Sequence, residues 1–170
     1  MHETPEELAR LQELLDQSYE HAGSHLRGII DPARRVSAPS LCARLEGMRL
    51  LALATVTADG RPLVGPVDGY LVHGAFYFSL GRDSVRIRHL RRRPWCSATH
   101  LPGEEFAVSV HGRAELFDVN DPAHPLREAM LAHYLPLQGP SFEEWLDRVD
   151  ATGARIDADK MFTFRLDPQG

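Results

Sequence analysis

Cysteine is scarce in this chain. Cys42 and Cys96 are the only two among 170 residues, and their separation makes neither a metal-binding pair nor a disulfide framework. A reduced, cytoplasmic setting fits that usage. Lysine is scarcer: the chain has 19 lysines and arginines together, and Lys160 is the single lysine. No apolar run is long enough for a membrane-spanning helix, and the polar, acidic stretch 1–10 is unlike a secretory signal. A net charge of −5 at pH 7 gives no reason to expect nucleic acid as a partner. The Gly-x-Ser-x-Gly elbow of many hydrolases and the Gly-rich dinucleotide fingerprint are both missing. Nine histidines are scattered without a ligand spacing, so no metal site is expected.

What is present is a β-rich pattern flanked by helices. Thr4-Pro5-Glu6-Glu7 is a helix start, with a cap, a first-turn proline and a capping-box glutamate. Leu8, Leu11, Leu14, Leu15 and Tyr19 then share one helical face. A loop with Asp31-Pro32 follows, and a short helix runs from Pro39-Ser40 to a stop at Gly47. Residues 49–57 read as a strand, whose run Leu50-Leu51-Ala52-Leu53-Ala54 predicts burial on both sides. Asp59-Gly60 marks a hairpin turn. The return strand, 62–72, carries Pro62 and Pro66, which predicts a bulge or an edge position. His73-Gly74 turns into a third strand, 75–79. A basic helix over 84–92 ends before Pro94.

Two further strands are predicted over 95–101 and 106–117. Residues 118–159 depart from the β pattern, with helices expected over 122–135 and 142–150. Ser141 and Glu144 read as a second capping box there. Phe142, Trp145 and Leu146 make a packing face at helical spacing. Residues 160–166 alternate and read as the closing strand. The expected fold is mainly β with peripheral helices: a single domain built on a six-stranded antiparallel barrel. Residues 1–47 form an N-terminal helical segment on that barrel, and 48–170 form the barrel with a helical insert at about 118–159.

The segment Phe76-Tyr77-Phe78-Ser79-Leu80-Gly81-Arg82-Asp83-Ser84-Val85-Arg86 carries the chemistry. A strand delivers a hydroxyl, then opens into a helix whose N-terminus offers unpaired N–H groups and partial positive charge. Ser79, Arg82, Ser84 and Arg86 add side-chain donors, and arginine grips phosphate with two at once. The plainer alternative is that Ser84 only caps the helix. Arg91, Arg92 and Arg93 suit a helix C-terminus without any ligand.

The stretches Leu53-Ala54-Thr55-Val56-Thr57-Ala58-Asp59-Gly60-Arg61-Pro62, Phe76-Tyr77-Phe78-Ser79, and Gly81 to Pro94, in that order, resemble the pyridoxamine 5′-phosphate oxidase-like split-barrel family. Val110-His111-Gly112-Arg113-Ala114-Glu115 and the terminal Phe164-Arg165-Leu166-Asp167-Pro168 continue the likeness. The resemblance implies an FMN-binding type of split β-barrel that dimerises, with FMN or a deazaflavin coenzyme in a groove between two copies. It places Phe78 and Ser79 at the cofactor phosphate, with Arg82, Ser84, Val85 and Arg86. It lays Pro66, Val67 and Asp68 along the flavin ring, whose chemistry the cofactor itself supplies.

The departures are informative. Gly65 stands where the family's oxidases carry an arginine. Tyr70 stands where they carry a substrate-phosphate lysine, and Ala107 where they carry a flavin-binding glutamine. No Arg/His substrate motif appears near 156–160. The expected function is therefore FMN-dependent redox chemistry on a small molecule other than pyridoxamine phosphate. Asp68 and Tyr70 are the only side chains offered for catalysis. Alternatives of a different class stay open: a flavin- or haem-binding protein without turnover, with His73, His89 or His111 as haem ligand, or a barrel with an empty groove.

Overall fold

The structure, a computed structural model, describes residues 3–166. Six strands, β1 (Met48–Val56), β2 (Pro62–Val72), β3 (Ala75–Gly81), β4 (Trp95–Gly103), β5 (Phe106–Asp118) and β6 (Ala151–Arg165), pair antiparallel in the order β1-β2-β3-β6-β5-β4. β4 closes the barrel on β1 through Ala52–Ala54 and Ser97–Thr99. The Asp59-Gly60 turn forms as expected, with Gly60 at φ 83° and the Thr57 N–H donating to the Arg61 carbonyl at 2.9 Å.

Strand alternation sorts the side chains. On β1, Leu51, Leu53 and Thr55 point into the barrel and are buried, while Leu50 and Ala52 point out and are exposed. The two-sided burial expected for this run therefore does not occur within one chain. β2 keeps a continuous register with β1 from Pro62 to Tyr70, so there is no bulge. Its other side pairs with β3 only from Gly69 to Val72, which leaves 62–68 as an edge where the two prolines lose nothing.

The N-terminal helix α1 (Pro5–Glu20) forms its capping box, Thr4 with Glu7. It covers a second edge. The first part of β6 pairs with β3 as far as Ile156, and beyond that point β6 has only β5 beside it. The orphaned N–H groups of Met161 and Thr163 are taken by the hydroxyls of Ser18 (2.9 Å) and Tyr19 (2.7 Å). Buried backbone donors need such partners, and an edge so covered cannot pair with another chain. A helix that escaped the sequence reading, α2 (Ser24–Ile29), and a 3₁₀ turn over Pro32–Arg34 lead to α3 (Ala38–Arg44). The helix α4 (Val85–Arg92) follows β3.

The 118–159 stretch differs from expectation. Its helices are α5 (Leu126–Gln138) and α6 (Ser141–Leu146), and residues 151–159 are strand, the first half of β6. The Ser141–Glu144 box does not form. Gly139 turns the chain at φ 72°, Pro140 takes the cap position, and the Ser141 hydroxyl donates to the Gln138 carbonyl at 3.0 Å. Both helices lie on the outer face of β2, β3 and β6. There Leu126, Met130, Phe142 and Leu146 bury against Tyr70, Val72 and Tyr77. Arg127 joins the two helices through Asp147 at 2.7 Å.

Candidate functional site

The barrel wall is split where β2 and β3 part beyond Gly69 and Phe78. α4 fills the split, seated by Ile87 and Leu90, which are buried in the barrel core. Ser84 caps it, its hydroxyl accepting the Ile87 N–H at 3.3 Å. Arg86, in the first turn, reaches across to the open edge of β2, where its guanidinium donates to the Pro66 carbonyl at 3.0 Å. Gly65 leaves room for the approach: a Cβ there would stand 3.2 Å from three guanidinium atoms, close enough that the arginine would have to shift by a few tenths of an ångström. The missing arginine at position 65 thus coincides with an arginine arriving from the helix over the same spot.

The nine residues singled out by sequence distribute unevenly. Pro66, Ser84, Val85 and Arg86 gather at the split, with Val85 exposed. The first-turn N–H groups of α4 have no intrahelical acceptors, and Arg86 uses one of its five N–H donors on Pro66. The side chains of Val67 and Phe78 are buried in the barrel core, so only their backbones are open to a ligand. Ser79 faces α5, its hydroxyl 3.9 Å from the Met130 sulfur. Arg82 is committed elsewhere: it pairs with Asp150 and, at 3.4 Å, with Asp118, tying the end of β3 to the segments flanking β5 and β6.

Asp68 and Tyr70 both face α5. The Tyr134 hydroxyl donates to the Asp68 carboxylate at 2.7 Å. Burial, then the neighbouring Asp68, pushes the Tyr134 phenol up to about 12, so it is a proton donor and not a phenolate at neutral pH. Tyr70 is buried and its hydroxyl has no hydrogen-bond partner among the described residues; burial raises its pKa strongly, with Tyr134 and Asp68 adding to the effect. Tyr134 was not visible as a site residue in the sequence, because a tyrosine on an amphipathic helix reads as packing. Only its pairing with a strand carboxylate 66 positions away distinguishes it.

The three histidines considered for haem lie apart and have local partners. His73 bonds Glu7 at 3.1 Å, His89 bonds Thr55 at 3.1 Å, and His111 bonds Ser97 at 2.8 Å. Among the described residues no three His, Cys, Asp or Glu side chains gather as a metal site. Burial raises both thiols, Cys42 to about 12 and Cys96 to about 11, so neither is a nucleophile at neutral pH.

A barrel closed in this order, split between its second and third strands and plugged there by a capped basic helix, defines the class: a split β-barrel. Residues 39–162 match the model of the Pyridoxamine 5'-phosphate oxidase family, and the chain belongs to that family. Among solved structures it is similar to a conserved hypothetical protein of Mycobacterium tuberculosis, with 22% identity over 79% of this chain and 88% of that one and a TM-score of 0.66. It is also similar to the heme storage protein HutZ of Vibrio cholerae (16% identity, 75% and 92% covered, TM-score 0.57). An F420 reductase is a third (20% identity, 70% and 93% covered, TM-score 0.54). At these identities the likeness is one of fold. No curated protein matches the chain by sequence. No helix among the described residues is long and apolar enough to cross a membrane.

Proposed function

We propose that this protein is an FMN-dependent oxidoreductase that works as a homodimer on a small molecule other than pyridoxamine phosphate. The observation that carries the reading is Arg86 lying over Gly65 on the open β2 edge, beside the capped N-terminus of α4. Such a corner offers a phosphate a guanidinium, a hydroxyl and helix N–H groups together. The edge from Pro66 to Asp68 then offers a flavin ring a strand backbone on one side.

The dimer reading rests on the outer face of β1, β4 and β5. Residues paired across antiparallel strands share a face, so Ala52, Ser97, Thr99 and Ser109 lie together on it. They form a flat patch of small side chains. Leu50 (60% exposed), Val64 (63%), Trp95 (53%) and Leu101 (66%) give it an apolar border. An apolar surface of that extent marks an interaction site, and a second copy would bury the outward half of β1.

Substrate choice follows from charge. Tyr70 and the Asp68–Tyr134 pair occupy the positions next to the proposed ring, and Arg82 is already balanced by two carboxylates. A phosphate ester would find no unpaired cation beside these residues among the described ones. The chain's own residues would bind and orient the cofactor and exclude water, and Tyr134 would hold a proton at its hydroxyl; the flavin supplies the hydride chemistry.

The test is titration of FMN into the apo-protein, followed by quenching of flavin fluorescence. Arg86→Ala should weaken FMN by roughly tenfold or more, the scale of one charge-assisted hydrogen bond, with the dimer intact. Equal affinity in the variant overturns the site. Wild-type protein that ignores FMN but binds a deazaflavin or haem moves the cofactor to that group.

A further inference from the structure

The open edge of β2 carries charge of both signs within a few residues. At one end the Arg86 guanidinium donates to the Pro66 carbonyl at 3.0 Å. Two residues further on, Asp68 leaves the strand on the same face as Pro66, and both are exposed. Its carboxylate accepts a hydrogen bond from the Tyr134 hydroxyl at 2.7 Å. No lysine or arginine pairs with it among the described residues. Its other neighbours are apolar: Val67 and Tyr70 are buried on either side along the strand, and Leu50 stands opposite in the β1 register.

The carboxylate is held in place. The Tyr134 ring lies 4.7 Å from the ring of Phe142, which is buried between α6 and the sheet. Burial and the bond to Asp68 keep the Tyr134 phenol protonated, with its pKa up at about 12, so it stays the donor. A latch between α5 and β2 would account for this bond alone. It does not account for an uncompensated charge on the segment proposed to lie along the flavin ring.

Reduction gives a flavin ring electrons and, at neutral pH, a negative charge. A fixed charge of the same sign beside it opposes that gain, and charge close to the ring is one of the means by which a protein tunes this cofactor. The phosphate keeps its charge in both redox forms, so a contact to it favours neither. The two ends of the edge are therefore suited to different tasks, affinity at Arg86 and redox selection at Asp68.

We propose that Asp68, held by Tyr134, makes the bound flavin harder to reduce, its charge selecting oxidised FMN over reduced FMN. This inference rests on the flavin reading above and adds to it the residue that sets the cofactor's potential.

The test is the affinity of the full-length protein for oxidised FMN, by fluorescence quenching, together with the midpoint potential of the bound FMN, by equilibration with a dye of known potential under argon. Asp68→Asn keeps an acceptor for Tyr134 and removes only the charge. It should bind reduced FMN about tenfold more tightly than wild type, the scale of one charge acting on another at a protein surface. For a two-electron couple that is a rise of about 30 mV. Its affinity for oxidised FMN should change less than about threefold, and its urea midpoint should match wild type. Arg86→Ala should do the reverse, weakening both forms together without raising the potential. Wild-type protein that binds no FMN overturns this inference along with the flavin reading. Bound FMN whose potential is the same in wild type and Asp68→Asn, or rises as far in Arg86→Ala as in Asp68→Asn, overturns this inference alone and leaves the flavin reading standing.

Discussion

The barrel has two outer faces that its own sequence treats differently. The face of β2, β3 and β6 is covered by α5 and α6, and its outward residues Tyr70, Val72, Tyr77 and Ala151 are buried in a second apolar cluster. The face of β1, β4 and β5 has no such cover, yet it carries Leu50, Trp95 and Leu101 exposed. A sheet whose outer face meets water normally alternates apolar-in with polar-out. The first face breaks that rule because helices supply a second core. The second breaks it with nothing among the described residues to supply one, and this asymmetry is the physical ground for the proposed partner copy on that side.

The sharpest way to test the contrast is to weaken each face and ask whether protein concentration matters. Leu126 is fully buried where α5 meets the sheet. Leu126→Ala should cost about 2–5 kcal/mol through lost burial and a residual cavity. In urea denaturation that loss should be the same at low and high protein concentration. A loss that disappears on concentrating the protein would mean that the helices, too, belong to an intermolecular interface.

On the uncovered face, Trp95→Ala with Leu101→Ala should behave in the opposite way. Neither side chain contributes much burial within one chain, so the stability of the dilute protein should hardly change. Self-association should weaken by at least roughly 30-fold if Trp95 acts as an interface anchor worth about 2 kcal/mol or more. Sedimentation velocity across a concentration series reads this directly. A wild-type protein that stays monomeric throughout would remove the partner-copy argument.

The seam between the faces gives a smaller effect. Asp68 lies opposite Leu50 in the β1–β2 register but bonds Tyr134 from the helical cover. Tyr134→Phe removes one partly exposed hydrogen bond and should lower stability by about 1 kcal/mol. FMN affinity should move less than threefold, because the proposed phosphate contacts lie at Arg86. A larger loss of FMN than in the Arg86 variant would shift the binding site toward the seam.

Much of this arrangement was legible in the sequence where local rules act alone. The Asp59-Gly60 turn, the bounds of β2 and the Thr4–Glu7 box are each decided by a few adjacent residues. What the sequence obscured was decided by distant packing. Ala151-Thr152-Gly153-Ala154 shows no alternation because all four are buried between the barrel interior and the α5–α6 layer, so the start of β6 reads as irregular. α2 has Gly23 at its cap and no side-chain capping bond, leaving no start signal. At the site, the helix cap and Arg86 were readable. The commitment of Arg82 to Asp118 and Asp150 was not, because those partners are 36 and 68 residues away. The run Leu50 to Ala54 is the instructive case: its two-sided apolar character is not matched by burial in one chain, where Leu50 and Ala52 are exposed.

The N-terminal helix provides a control that should leave both faces untouched. The Glu7 carboxylate accepts the Thr4 N–H at 2.8 Å and meets His73 Nδ1 at 3.1 Å. The Thr4 bond, then His73, lower its pKa against a smaller opposing effect of burial. A carboxyl lowered on folding stabilises the fold above the ordinary glutamate value of about 4.3, and that contribution is lost as pH falls through the folded value. Glu7→Gln keeps an acceptor for the capping box and removes only the charge. Wild type should therefore exceed Glu7→Gln by less than about 1 kcal/mol at pH 7, as for an exposed pair. The two should converge in acid, below the lowered value. Urea midpoints measured at pH 7, 5 and 3 give the comparison, and sedimentation at pH 7 should be identical for the two proteins. A difference that persists at pH 3 would mean that Glu7 acts by packing and not by charge. A change in sedimentation would mean that α1 reaches the uncovered face, and the division of the barrel into one sealed and one open side would have to be redrawn.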